Sequence, residues 1–416
     1  MKPLLATLLE EFRDVLTQEI IHRDQRLPEV SKKILAVIGM RRVGKTYFLY
    51  QQVKDLLQAK IPFSRILYLN FEDDRLLPMD GKTLSQLMEA FYSLFPENHD
   101  HLCYLFLDEI QNVEAWPNVI RRFLDTKKVK IFLTGSSAKL LSKEISSSLR
   151  GRSLATEIWP YSFAEYLSTD QAKLPQEKIG KATQDKLLRS LENYIHIGGF
   201  PEVQTVDPKS HIRILQDYVD VVIFRDIVER YKITNISLIR YLVKTVINNI
   251  AAPFSLNKLF NDLKSQGIRV SKNTIYEYLS HIEDAYLAFM VPLFSPSLRK
   301  RQTNPRKVYC VDPGLARSQS PIALEKQGAF FENLVYLDLR RKGYAVSYYL
   351  TAERHEVDFV AQDLTGKIKL FQVSWDIRHQ GTKDREERAL QQAEQELGIT
   401  GMLVTANSYF DFLKII

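Results

Sequence analysis

The eight residues Gly39-Met40-Arg41-Arg42-Val43-Gly44-Lys45-Thr46 constrain this chain more than any other stretch. They follow a short apolar run, ILAVI (34–38), and open an amphipathic segment, TYFLYQQVKDLL. The pattern GxxxxGK[ST] between a strand and a helix demands a loop whose glycines let backbone N–H groups curl around a polyphosphate. The helix N-terminus behind it adds a favourable dipole. Gly39, Arg41, Arg42, Val43, Gly44 and Tyr47 are therefore expected to lie along a bound ATP. Lys45 is expected to neutralise its β- and γ-phosphates, and Thr46 to ligate Mg²⁺. Such a loop belongs in a parallel sheet with helices on both faces. The runs ILYLNF (66–71), CYLFLDE (103–109) and KIFLTG (130–135) alternate with helical segments as that architecture requires.

CYLFLDE ends in Asp108-Glu109 at the C-terminal edge of its strand, where ligands sit in such sheets. Asp108 is expected to hold Mg²⁺ through water and Glu109 to polarise the attacking water, which makes the chain an ATPase. The next strand runs into Thr134-Gly135-Ser136-Ser137, where a polar side chain could sense the γ-phosphate; Ser136 is preferred to Thr134. Arg150 and Arg152 stand just before a further strand, SLATE, in reach of a neighbouring subunit's nucleotide. An arginine given in trans stabilises transition-state charge; a plain surface role is equally open for each of them.

Composition sets the outer limits. The 416 residues give room for roughly two to four domains. No run of about 18 apolar residues occurs, so no transmembrane helix is expected. The start, MKPLLATLLEEFRDVL, places acids directly behind its apolar stretch and reads as an amphipathic helix instead of a signal peptide. Two cysteines, Cys103 and Cys310, cannot build a disulfide framework, and the cytosol is the expected compartment. The net charge of +7 permits a polyanionic partner without requiring one.

Four parts follow along the chain. Residues 1–160 hold the N-terminal helix and the sheet core. Residues 161–248 read as helices almost alone, a lid beside the core. Residues 249–313 run helix, turn, helix and hairpin, the order of a winged helix, with Ser255 and Ser271 as helix caps. Residues 314–416 form a further α/β unit. In the third part, Lys272 and Asn273 begin the recognition-type helix, and Arg299, Lys300 and Arg301 lie in the basic loop SPSLRKRQTNPRK. They are the expected contacts to DNA, mainly to its backbone and shape. A protein-packing module is the other reading of the same segment.

The landmarks GMRRVGKT, YLNFEDDRL, FLDEIQNV, FLTGSSAKLL, LRGRSLATEIWPYSFAEYL, YIHIGGFPEV, FRDIVERYKI, KVYCVDPGL, GAFFENLVYLDLRRKG and EVDFV run across nearly the whole chain. In this order they resemble bacterial and archaeal AAA+-type ATPases, the archaeal-type ATPase group. Those proteins carry a C-terminal domain of unknown function with a restriction-endonuclease-like fold. The resemblance implies an AAA+ core with helical lid, a winged helix and a nuclease-like α/β terminus. It also implies assembly into a ring-like homo-oligomer, a hexamer among the forms such rings take. It favours Arg152, in the LRGR segment, over Arg150 as the arginine acting in trans.

A nuclease of the PD-(D/E)xK type needs two acids for Mg²⁺ and usually a lysine to position water. Asp358 stands where the first acid belongs, and strand alternation puts Gln372 and Ser374 on one face of the next strand. Glu332 matches the family's helical glutamate. With Gln372 in place of an acid and Ser374 in place of a lysine, the site is read as degenerate and cleavage as unlikely. The expectation is thus an ATP-hydrolysing AAA+ protein that binds branched or structured DNA. The other readings are a nucleotide-dependent signalling or scaffolding switch with protein partners, and an ATP-dependent nuclease.

Overall fold

The apolar runs around the glycine-rich loop form the middle of a five-stranded parallel sheet. Its strands are β1 (Ile34–Ile38), β2 (Ile66–Asn70), β3 (Cys103–Asp108), β4 (Val129–Thr134) and β5 (Ser153–Glu157), in the order β2-β3-β4-β1-β5. The computed structural model describes residues 1–135, 151–175, 180–320 and 326–416. It divides into two units, Met1–Ile158 and Trp159–Ile416.

In the first unit all five residues of β1 are buried, as a strand covered on both faces demands. Phe106 and Phe132 stack between β3 and β4 with ring centroids 4.4 Å apart. The register sets Asn70 opposite Asp108 and Val37 opposite Thr134, so the polar strand ends meet at one edge. The helix α1 (Lys2–Val15) buries Leu5, Leu9 and Phe12, its apolar stripe, as the N-terminal sequence foretells. Arg75 fastens α1 to the unit by a two-pronged bond to Glu11 at 2.9 and 2.7 Å. The helix α2 (Lys45–Gln58) starts directly on the loop, with Gly44 as N-cap at φ 94°, a conformation that favours glycine.

The second unit opens with helices: Phe163–Thr169, Lys181–Ile197, Pro208–Val221 continued by a π-helical stretch Val222–Glu229, and Ile236–Asn248. Two more helices follow, Leu256–Ser265 and Lys272–Asp284, capped by Ser255 and Ser271. Three strands lie in the order Pro253–Phe254, Arg306–Cys310, Ala288–Val291. Between the second and third in sequence, Leu298–Thr303 is helical, so the basic loop is a helical turn.

The terminal part packs a four-stranded sheet, Ala345–Leu350, Glu356–Gln362, Ile368–Ser374 and Gly401–Thr405, around the helix Gln327–Arg341. Its first three strands are antiparallel and the last pair is parallel, joined by the crossover helix Gln380–Leu397. A buried knot ties GGFP to VDPG. The Asp312 carboxylate accepts N–H bonds from Gly199 at 2.6 Å and Leu315 at 2.8 Å. Burial pushes its carboxyl up to about 6. Among the described residues no helix is long and apolar enough to cross a membrane.

Candidate active site

The glycine-rich loop, the end of β3 and the end of β4 converge at one edge of the sheet. Gly39 touches the chain end of the first unit so closely that a Cβ would stand 2.2 Å from the Ile158 carbonyl oxygen. Lys45 is 5% exposed. Its ammonium donates to the carbonyls of Gly39 (3.3 Å) and Met40 (3.1 Å), which folds the charge over the loop. Beneath, Arg23 donates to the Val43 carbonyl at 3.0 Å, and its backbone is bonded both ways to the Gln51 side chain. The segment after α1 thereby braces the loop. Arg41 is ion-paired at 3.7 Å to Glu72, in the loop after β2. Tyr47 is exposed on the first turn of α2.

Asp108 is completely buried and ringed by hydroxyl groups. Tyr68, on β2, donates to its Oδ2 at 2.8 Å. Thr134 donates to its Oδ1, and the Thr46 side chain is hydrogen-bonded to it as well. Burial nevertheless keeps the Asp108 carboxyl above the usual range. The Thr134 hydroxyl also accepts the Glu109 backbone N–H at 2.9 Å. Glu109 itself adopts a left-handed backbone, φ 53°, an uncommon conformation for a non-glycine residue and one that clusters at functional sites. Its Oε2 accepts from Gln111 at 2.5 Å.

Thr46 and Asp108 thus meet, with oxygen atoms suited to a hard divalent cation. Among the described residues no three His, Cys, Asp or Glu side chains could hold a metal together. That is compatible with Mg²⁺, which commonly takes one or two protein ligands and completes its shell from phosphates and water. Of the other expected residues, Ser136 and Arg150 lie outside the described residues. Arg152 precedes β5 and is ion-paired with Asp125, both half exposed. Thr134 ends β4 and bonds Asp108 and the Glu109 backbone. Arg23, Tyr68 and Glu72 were not foreseen.

Profiles of protein families match the chain in three consecutive parts: an AAA domain over residues 31–167 and two domains of unknown function, DUF8612 over 188–326 and DUF4143 over 327–412. An uncharacterized protein of Methanocaldococcus jannaschii is 34% identical over 409 residues, 97% of this chain and 88% of that one. The chain belongs to the AAA+-type ATPase family. An uncharacterized protein of Haemophilus influenzae, 30% identical over 83% of each chain, is a further relative. Among solved structures, a Walker-type ATPase of Pyrococcus abyssi aligns with a TM-score of 0.44 at 15% identity, over 70% of this chain and 91% of its own. Orc1 of Aeropyrum pernix, solved in complex with DNA, gives 0.30 at 13%, over 76% and 91%. Neither likeness bears on function at that score. The C-terminal part, residues 327–412, matches a domain of unknown function.

In that domain Glu332, Asp358 and Gln372 do come together, and a lysine joins them from outside the expected strand. Lys307, on Arg306–Cys310, is 1% exposed. Its ammonium lies 2.7 Å from Glu332, 2.9 Å from Glu356 and 2.9 Å from Asp358. Tyr309 donates to the same Glu332 oxygen at 2.6 Å. Gln372 accepts the Asp358 backbone N–H at 3.1 Å and donates to Glu386 at 2.5 Å. Ser374 turns its hydroxyl to the Asp376 carbonyl at 3.1 Å. A cleft of about 500 Å³ opens over these residues, with Arg354, His355 and Arg385 also in its lining.

The residues expected to meet DNA are spread over two helices. Lys272 donates to Asn257 at 2.9 Å and lies over the Phe260 ring. Asn273 is exposed beside it, and Arg299, Lys300 and Arg301 are exposed on the short helix Leu298–Thr303.

Proposed function

We propose that this ATPase hydrolyses ATP with Glu109 as the residue that polarises water, and that it couples turnover to a grip on DNA. The observation that carries the first part is the packing of Thr46, Thr134 and Tyr68 around Asp108, with Lys45 next to Thr46 in the chain and folded over the loop. In this reading the loop N–H groups and Lys45 bind the phosphates, and Thr46 with Asp108 orients the cation and its waters. Mg²⁺ supplies charge neutralisation on the phosphate oxygens when bound. Thr134 fixes the Glu109 backbone, so the carboxylate keeps its place relative to Asp108. Arg152, whose exposed partner Asp125 is easily released, serves a neighbouring protomer's site in a ring-like oligomer.

The DNA-binding part of the proposal rests on the exposed basic residues Lys272 and Arg299 to Arg301 around the helix pair and three strands of residues 249–313, read as a winged helix. The division into 1–160, 161–248, 249–313 and 314–416 is kept in this reading, with the last part holding DNA without cutting it. Branched or structured DNA is the preferred partner.

The experiment is steady-state ATP hydrolysis with duplex, single-stranded and four-way-junction DNA, on wild type, Lys45→Ala and Glu109→Gln. Glu109→Gln should lose at least about 100-fold in turnover while keeping nucleotide, and Lys45→Ala should lose binding. Hydrolysis untouched by either substitution refutes the assignment of the site. Stimulation by junction DNA supports the DNA reading, and indifference to all three DNAs favours a switch with protein partners.

A further inference from the structure

The nuclease-like reading of the terminal domain implies a divalent metal at Glu332 and Asp358, and the residues present do not fit one. We infer that the cation of this acidic cluster is the chain's own lysine. Lys307 fills the position a metal would take and locks the strand Arg306–Cys310 to the terminal domain.

An ammonium has three N–H donors and no acceptor. Three carboxylates surround Lys307 at 2.7–2.9 Å, so one N–H is available for each. Burial works against the charge, and the pull of Asp358, Glu332 and Glu356 outweighs it, which holds Lys307 protonated. A dication at the same carboxylates would sit against this ammonium, and like charges at that distance repel strongly in a buried site. The remaining acid is engaged as well. Glu386 is ion-paired with Arg385 at 2.5 Å and accepts from Gln372. Gln372, at the place of the second acid, spends its two polar atoms joining Asp358 to Glu386. Asp358 offers its other oxygen to the Val373 N–H at 2.9 Å. The cluster is closed by bonds within the chain.

This arrangement gives the cluster a task. Lys307 follows Arg306 and the basic helix Leu298–Thr303 in sequence, and Glu356 and Asp358 lie on the first strand of the EVDFV hairpin. Three contacts from one ammonium to acidic side chains at one buried point fix the basic segment relative to the terminal sheet. The inference does not depend on ATP hydrolysis.

The test uses the full chain and Mn²⁺ alone as probe, read by electron paramagnetic resonance without nucleotide. The wild type should show no Mn²⁺ binding that Asp358→Asn removes. Lys307→Met should lower the thermal midpoint by roughly 10 °C, since it leaves buried carboxylates without their cation. It should also raise hydrogen exchange in both the 306–310 strand and the 356–362 strand. Lys307→Met combined with Glu356→Gln and Asp358→Asn should recover a large part of the lost midpoint, and it remains informative if the single variant fails to fold. Mn²⁺ bound to the wild type through Asp358 overturns the inference. So does Mn²⁺-dependent DNA cleavage abolished by Asp358→Asn, or a triple variant no more stable than Lys307→Met.

Discussion

Tyr68→Phe isolates one contact of the nucleotide site. The ring packs flat against Phe12, centroids 4.2 Å apart at 12°, and phenylalanine keeps that stack. What disappears is a 2.8 Å hydrogen bond from a buried hydroxyl to the Asp108 carboxylate, together with a longer 3.4 Å contact to the Tyr50 hydroxyl. A bond to a charged group is worth about 1.5–3 kcal/mol. Partners that orient a metal-ligating side chain typically cost about 10–100-fold in metal affinity or activity when removed, which is the same range. Asp108 keeps its bonds to Thr134 and Thr46, so the lower end, roughly tenfold, is expected. The measurement is ATP hydrolysis over a Mg²⁺ titration, with metal-free ADP affinity as control. The half-saturating Mg²⁺ concentration should rise about tenfold and ADP affinity should stay within about twofold. Unchanged Mg²⁺ dependence and turnover would show that Tyr68 does not position Asp108, and the reasoning fails. An equal loss of metal-free ADP binding would refute it differently, by tracing the effect to general damage of the loop.

Thr134→Val removes the donor to Asp108 and orphans the Glu109 N–H; turnover should fall at least about 100-fold with nucleotide binding retained, checked by single-turnover assays. Gly39→Ala forces a Cβ to 2.2 Å from the Ile158 backbone oxygen, so ATP binding and the thermal midpoint of the first unit should both drop, as calorimetry with and without nucleotide would record. Asp312 gives a pH signature. Its folded carboxyl sits near about 6 against an ordinary 3.8 because burial penalises the charge. The stability it contributes is complete below 3.8 and lost as pH rises through about 6, a difference of about 3 kcal/mol. Acidifying from pH 7 toward 5 should therefore raise the midpoint relative to Asp312→Asn, whose profile lacks this component.

Legibility in the sequence followed contiguity. The glycine-rich loop and Asp108-Glu109 were readable as a candidate site because each is written in adjacent residues with a strand on one side. Strands β1 to β4 were readable because they are short, mostly apolar and mostly buried. That same uniformity hid Tyr68: in ILYL every residue is apolar or aromatic, and nothing marks the position whose hydroxyl reaches across to β3. The bonds of Thr134 to Asp108 and to the Glu109 backbone were hidden because the point where β4 stops being a strand cannot be read from KIFLTGSS. Lys307 was the hardest. It stands 25 residues from Glu332 and 51 from Asp358 in sequence, and only folding brings the third strand of one part into the acidic face of the next. One signal was present. Alternation in KVYCV puts Lys307 and Tyr309 on the same face, and a lysine sharing the inward face with a tyrosine in an otherwise apolar strand needs a buried acid.

Two buried aspartates in this chain therefore face opposite chemistries. Asp108 is held by hydroxyl groups, which fix a carboxylate in place without cancelling its charge. Asp358 is held by an ammonium, which cancels it. The first arrangement leaves electrostatic demand for a cation delivered with the nucleotide, and the second leaves none. Any metal dependence of this chain should consequently trace to the first unit alone. Substitutions at Asp108 should alter the response to Mg²⁺, whereas substitutions at Asp358 should alter only stability and the hold on the basic segment beside Lys307.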